Sequence, residues 1–301
     1  MSRSRYELSG RAVLVTGAAR GIGAETARRL ARRGARVSLV GLEPELLEQV
    51  AAECGPDAVW FEADVTDLAA LERAVDGTVE RLGGIDVAMA NAGIAIGGTL
   101  RHIELASIER LLEINLTGAI RTLRLCLPHV LERRGYLLAV ASVAAVGHPP
   151  GLSAYAASKA GIEAFANAVR IEVKHLGVDV GVAYYSWIDT DMVRGADGHR
   201  DFHHLRDGLK GALSKTYPVA KAAEATIRGI ERRARWIAFP GWIRPMILAR
   251  GVNPLVIELG ARDRIAEFDR LSGEEAARLG ERASAPVGAG GEAAVRSAPL
   301  R

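Results

Sequence analysis

Seven short apolar runs punctuate the chain, separated by longer stretches of mixed polarity. They are AVLVTG (12–17), ARVSLVG (35–41), AVWFEAD (58–64), IDVAMANAG (85–93), GYLLAVAS (135–142), VDVGVAYY (178–185) and RWIAF (235–239). Runs this uniformly apolar do not alternate between a dry and a wet face, so they suit strands covered on both sides. The intervening stretches have helical length, and three close on glycine: 22–33 before Gly34, 67–82 before Gly83 and 160–176 before Gly177. Glycine there is the usual helix stop. Long helices are predicted over 104–132 and 153–176. Strand and helix alternating in this way predict an α/β fold, a doubly wound seven-stranded parallel sheet with helices on both faces.

The alternation stops near residue 240, which suggests three parts. Residues 1–240 form the α/β domain. Residues 241–278 are apolar and broken by Pro245 and Pro254, and are predicted as short helices packed on the core or on a partner subunit. Residues 279–301 are rich in Ala, Gly, Ser and Pro and are predicted to be disordered.

Composition narrows the class further. The chain has 301 residues, 49% hydrophobic and 25% charged, with 39 basic against 36 acidic residues, which is a globular composition. A net charge of +3, with arginines paired on helices, argues against nucleic acid as a partner. Cys54 and Cys126 show no metal or redox spacing, and no apolar leader or 18-residue apolar run is present. Those features predict a cytoplasmic protein with free thiols and no membrane span.

The candidate chemistry starts after the first strand, at TGAARGIG (16–23). Gly17, Gly21 and Gly23 permit a sharp turn and a close approach to a pyrophosphate. The helix that follows offers free N–H groups and a positive dipole end. Further on, SAYAASKAGIEAF (153–165) sets Tyr155 and Lys159 four apart, one turn from each other on a helix face. A solvated face would account for such a pair alone. Ser142 ends the fifth strand, 13 residues before Tyr155.

With G-x-x-x-G-x-G on the first strand, NAG (91–93) after the fourth, Ser142 and then Tyr-x-x-x-Lys, residues 8–240 resemble the short-chain dehydrogenase/reductase family. The resemblance implies a Rossmann-like fold and an NAD(P)(H)-dependent oxidoreductase interconverting a carbonyl and a secondary alcohol. It makes Tyr155 the general acid or base, Ser142 the holder of the substrate oxygen, and Lys159 a ligand of the nicotinamide ribose. Asn115, polar within EINLTGAI, becomes the fourth member, relaying protons through water to Lys159. A free phenol titrates near pH ~10, and a nearby ammonium would lower that value. Around the dinucleotide the resemblance places Gly17, Arg20, Gly21, Ile22 and Gly23, then Gly41 and Leu42, then Asn91, Ala92 and Gly93. Asn91 is largely structural by the same comparison. Asp64 would bond the adenine amino group with Val65 beside the ring, although Asp64 reads equally well as a helix N-cap.

Two departures stand out. YYSWIDTDM (184–192) carries Ser186 and Trp187 where the family has Pro-Gly, while Ile188 and Thr190 match the positions that meet the carboxamide. At the end of the second strand Gly41 and Leu42 stand where an acid would select NAD. Arg20 could instead reach a 2′-phosphate, so NADP(H) is favoured with NAD(H) possible and Glu43 as the opposing charge. Ala144, His148 and Trp187 join Ser142 as candidate substrate contacts and suggest a hydrophobic carbonyl or alcohol. The long helices match those that pair subunits in the family, implying a homodimer or homotetramer. The cluster GHRDFHHLRD (198–207) reads as a polar lid rather than a metal site. Rival readings are a catalytically silent dinucleotide sensor, or a peripheral membrane dehydrogenase anchored by residues 241–259.

Overall fold

Each apolar run forms a strand, trimmed at its ends: β1 (Ala12–Thr16), β2 (Arg36–Gly41), β3 (Val59–Glu62), β4 (Val87–Ala90), β5 (Tyr136–Val140), β6 (Asp179–Tyr185) and β7 (Trp236–Phe239). The computed structural model describes residues 5–297. The strands pair in parallel in the order β3-β2-β1-β4-β5-β6-β7. Both faces of this sheet are dry, which is why the runs lack alternation. Within β1, Val13 and Val15 pack into one core with Val37 and Leu39, while Leu14 packs into the other with Val40.

Helices α1 (Gly21–Ala31) and α2 (Pro44–Cys54) cover one face, joined later in the chain by Val219–Glu231. Helix α3 (Leu68–Leu82) covers the other with α4 (Leu105–Leu112), α5 (Ala119–Glu132) and, beyond the short α6 (Ala144–Gly147), α7 (Ser153–Val173). Local chemistry sets the ends of α3. Asp67 Oδ1 accepts from the Ala70 N–H at 3.0 Å, and Gly83 closes the helix at φ 73°. The N-cap is therefore Asp67 rather than Asp64.

The helix predicted over 104–132 is not uniform. A π-helical turn, Glu113–Gly118, separates α4 from α5. Inside it the Asn115 amide bonds the Ile94 backbone in both senses, donating to Ile94 O at 2.9 Å and accepting from Ile94 N at 2.8 Å. Such wide turns often hold a functional side chain off the regular spacing.

After β6 come α8 (Asp191–Asp197), α9 (Arg200–Asp207) and α10 (Val219–Glu231), and after β7 come α11 (Ile243–Leu248), α12 (Asn253–Ala261) and α13 (Ile265–Leu279). Ile243 and Ile247 are buried in the core. Asn253 Nδ2 donates to the carbonyls of Val146 and Met246, both at 2.8 Å, tying α12 to α6. Arg250 pairs with Glu163, buried on α7. Phe268 packs on Gly151, where an added Cβ would lie 2.3 Å from its ring. An outer apolar row stays exposed: Leu248, Val252, Leu255, Val256 and Leu259.

The tail departs from the disorder predicted for 279–301. Gly280–Ser284 forms a 3₁₀ turn and Ala289–Ser297 a helix, α14; residues 298–301 lie outside the described residues. Small apolar groups suffice to hold it. Val287, Ala293 and Ala294 are buried, the Val287 N–H donates to Ala95 O at 2.9 Å, and Arg110 Nη2 donates to Ala294 O at 3.2 Å. Among the described residues no helix is long and apolar enough to cross a membrane.

Candidate active site

A cavity of about 290 Å³ runs along the carboxyl ends of the strands, from the turn after β1 to the segment after β6. That is where a doubly wound sheet leaves a crevice for ligands. Gly17, Arg20, Gly21 and Ile22 line it, as do Gly41, Leu42, Asp64 and Val65 from the ends of β2 and β3. Asn91, Ala92 and Gly93 follow from the end of β4.

The glycines are dictated by space. A Cβ on Gly17 would come within 2.8 Å of Ala92 Cα, and one on Gly23 within 2.2 Å of Gly17 O. Gly23 thus shapes the cradle from behind without lining it. Asn91 Nδ2 donates to Thr16 O at 2.9 Å and Gly17 O at 3.1 Å, so its amide braces the loop between β1 and β4. Backbone of this shape, opening into the N-terminus of α1, fits a dinucleotide pyrophosphate.

At the other end Ser142, Tyr155 and Lys159 converge. Lys159 Nζ donates to Val140 O at 3.1 Å and lies 5.7 Å from the centre of the Tyr155 ring. Burial pushes its ammonium down to about 8. Burial likewise raises the Tyr155 phenol above its ordinary value, opposed by a hydrogen bond with Ser142. Burial outweighs that bond, and the lowering expected from Lys159 does not enter. Asn115 is buried behind the cavity wall, its Nδ2 donating to Ser158 Oγ at 3.2 Å as well as to Ile94. It reaches the site across Gly93, where an added Cβ would sit 3.0 Å from Asn115 Oδ1 and 3.3 Å from Lys159 Nζ.

The polar end holds a charge cluster visible only in three dimensions. Arg20 Nε donates to Glu43 Oε2 at 2.8 Å, Nη2 donates to Glu43 Oε1, and Nη1 donates to Asp191 Oδ2 at 2.6 Å. Asp64 accepts from Thr66 N at 2.8 Å, Thr66 Oγ1 at 2.7 Å, Arg110 Nη2 at 2.8 Å and Ser297 Oγ at 2.7 Å. Burial works to raise the Asp64 carboxyl, but the bonds from Thr66, Ser297 and Arg110 outweigh it and hold it below its ordinary range.

Near Tyr155 the wall is apolar. Trp187 stacks edge-on to Phe202 at 5.5 Å and donates from Nε1 to Leu213 O at 2.8 Å. Pro149, Leu152, Met192 and Val287 complete this end. None of these except Trp187 was marked by spacing in the sequence. Ile188 is buried beside it, and Thr190 caps α8 through its hydroxyl. Ser186 also lines the cavity, and its buried hydroxyl has no hydrogen-bond partner among the described residues. Two expected substrate contacts are not brought in: Ala144 is buried within α6, and His148 is exposed with its ring on Ala145 O at 3.1 Å. Neither lines the cavity.

The parallel sheet thus carries a glycine cradle at one end of its crevice and Ser, Tyr and Lys at the other. Comparison with known proteins is specific. The short chain dehydrogenase family matches residues 11–201. The chain is 32% identical to an 11-beta-hydroxysteroid dehydrogenase 1A of Arabidopsis thaliana, over 85% of this chain and 75% of that one. It is 36% identical to a 1-deoxy-11-beta-hydroxypentalenate dehydrogenase of Streptomyces exfoliatus, over 64% and 73%. A crystal structure of a dehydrogenase/reductase from Sinorhizobium meliloti 1021 superposes with a TM-score of 0.69 at 28% identity, covering 77% of this chain and 95% of that one. The chain belongs to the short-chain dehydrogenase family and is an oxidoreductase acting on CH–OH donors.

Proposed function

We propose that the protein interconverts a bulky apolar secondary alcohol and the matching ketone, using Tyr155 as the proton partner. The observation that carries this reading is the convergence of Ser142, Tyr155 and Lys159 at the apolar end of the cavity, opposite the glycine cradle. A dinucleotide held in that cradle would supply or accept the hydride. With its phenol protonated at neutral pH, Tyr155 is set to give a proton to a carbonyl oxygen as the alcohol forms, and to take it back in the reverse direction. Ser142 Oγ, whose present bonds are long, can turn to the same oxygen and strengthen its hold as charge builds there. Asn115 fixes the backbone of Ile94 and, across Gly93, the surroundings of Lys159. The relatives' names refer to a hydroxysteroid and a hydroxypentalenate, and the walls built by Trp187, Phe202, Leu152 and Met192 support an apolar substrate of comparable bulk.

Charge decides our reading of the cofactor. Arg20 alone would favour the 2′-phosphate of NADP(H). Its guanidinium, however, is already held by Glu43 and by Asp191, which Arg194 also pairs, so it is not free for that phosphate. Glu43 can accept from a ribose diol, so this geometry supports NAD(H) ahead of NADP(H). The exposed Ile171 on α7 and Leu105 at the start of α4 support pairing of subunits through this face.

The test is a fluorescence titration with NADH and NADPH, followed by turnover on a panel of cyclic and acyclic ketones. Tighter NADH binding and turnover of bulky apolar ketones are expected. Glu43→Gln should release Arg20 and improve NADPH binding about tenfold, the scale of one charge-assisted hydrogen bond. A wild-type preference for NADPH would return the assignment to Arg20. Binding without turnover of any alcohol or ketone would favour a dinucleotide sensor.

A further inference from the structure

We propose that the C-terminal segment 287–297 is a built part of the dinucleotide site, forming the wall that closes over its adenosine half. This rests on the dinucleotide reading given above. The segment lies outside the stretch matched to the family, which ends at residue 201.

The contacts converge on one edge of the cavity. Gly290, Gly291, Ala293 and Ala294 line the same cavity as Gly17, Arg20 and Asp64, and Val287 anchors the segment at the apolar end beside Leu152 and Phe202. Gly288 sits so close to α8 that an added Cβ would come within 2.4 Å of Asp191 O. Gly290 faces the Arg20 side chain, its added Cβ 3.4 Å from Arg20 Cδ. Arg110 bridges the two parts, donating to Asp64 Oδ2 and to Ala294 O. Ser297 Oγ donates to the same Asp64 oxygen.

Composition fits a wall rather than a plug. The face of α14 turned inward carries nothing larger than a methyl group, so a cavity remains under it with the helix in place. Glu292 and Arg296 point to solvent. A row of Gly and Ala is what a flat purine and ribose could lie against. The Ser297 hydroxyl occupies a donor position on Asp64, the carboxylate that would accept from an adenine amino group. A ligand N–H could take that place at little cost, since one hydrogen bond replaces another.

Hydrogen exchange read by mass spectrometry on the full-length protein tests this. Peptides covering 15–24 and 285–297 are followed with no addition, with saturating NADH and with saturating NADPH. Both peptides should slow with the dinucleotide that binds, the tail by tenfold or more. Protection of 15–24 with the tail unchanged would overturn the proposal. So would a tail that exchanges faster, which would make it a plug expelled by ligand. If neither peptide responds to either dinucleotide, the underlying dinucleotide reading fails first. As an independent check, Ala294→Trp fills the inner face and should weaken dinucleotide binding tenfold or more, whereas Glu292→Trp on the outer face should not. Equal effects from the two would count against the wall.

Discussion

Lys159 carries a heavy electrostatic burden within the cavity. Its ammonium is pushed from an ordinary 10.5 down to about 8 by burial. Between those values the unfolded chain binds a proton that the folded chain does not, so stability climbs as pH rises from about 8 to 10.5. Below pH 8 the full penalty remains, roughly 3 kcal/mol at ~1.4 kcal/mol per pH unit. Lys159→Met should therefore stabilise the cofactor-free protein at pH 7 by up to that amount, with the advantage fading near pH 10, while activity is lost. Urea unfolding at the two pH values measures it; equal gains at both would show that packing rather than charge is responsible. Tyr155 invites the complementary change. Tyr155→Phe removes the proposed proton partner and leaves the ring that α7 presents to the cavity, so turnover should fall by about 10² or more with dinucleotide affinity kept within a few-fold. Turnover that survives would mean the proton comes from elsewhere.

At the scale of elements, the strands were legible because a sheet covered on both faces removes the need for polar alternation. The glycine loop was legible for a related reason: Gly17 and Gly23 sit where any side chain would strike backbone. The π-helical turn at Glu113–Gly118 was not, since its residues keep helical spacing and the bonds that Asn115 makes there run to Ile94, far away in the chain. Asp191 as a partner of Arg20 was equally hidden, being 171 residues away. Helix α14 was misread for its composition, because Ala and Gly in a row look like a loose tail until a surface requiring small residues is seen. Gly118, the last residue of the π turn, gives a test at this scale. A Cβ there would lie 2.5 Å from Val65 Cγ2, so Gly118→Ala must push the turn off β3 or shift Val65. Overpacking of this kind costs about 1–3 kcal/mol, readable as a lowered urea midpoint. An unchanged midpoint would mean the turn yields freely.

For the whole molecule, the apolar surface left open is uneven. On α7 Ile171 is 79% exposed, and on α11 and α12 Leu248 and Leu259 are each 74% exposed. Isolated surface hydrophobes need no explanation, whereas contiguous ones mark contacts. Pairing through α7 predicts that Ile171→Glu lowers the mass measured by light scattering to that of a single chain, with the circular dichroism spectrum intact. If the mass stays that of an oligomer, the outer row on α12 becomes the face to alter next. Helices α11 to α13 meanwhile tie themselves to the catalytic part of the fold: Arg250 reaches Glu163 on α7, one turn past Lys159, and Phe268 rests on Gly151.

The cavity is bounded by Gly17, after β1, and by Ala294, in α14. During synthesis the cradle leaves the ribosome well before the residues that face it. A growing chain can thus fold its sheet and still hold an open trough, which gains its last wall only when residues 287–297 have followed. A chain nicked ahead of α14 would revert to that trough.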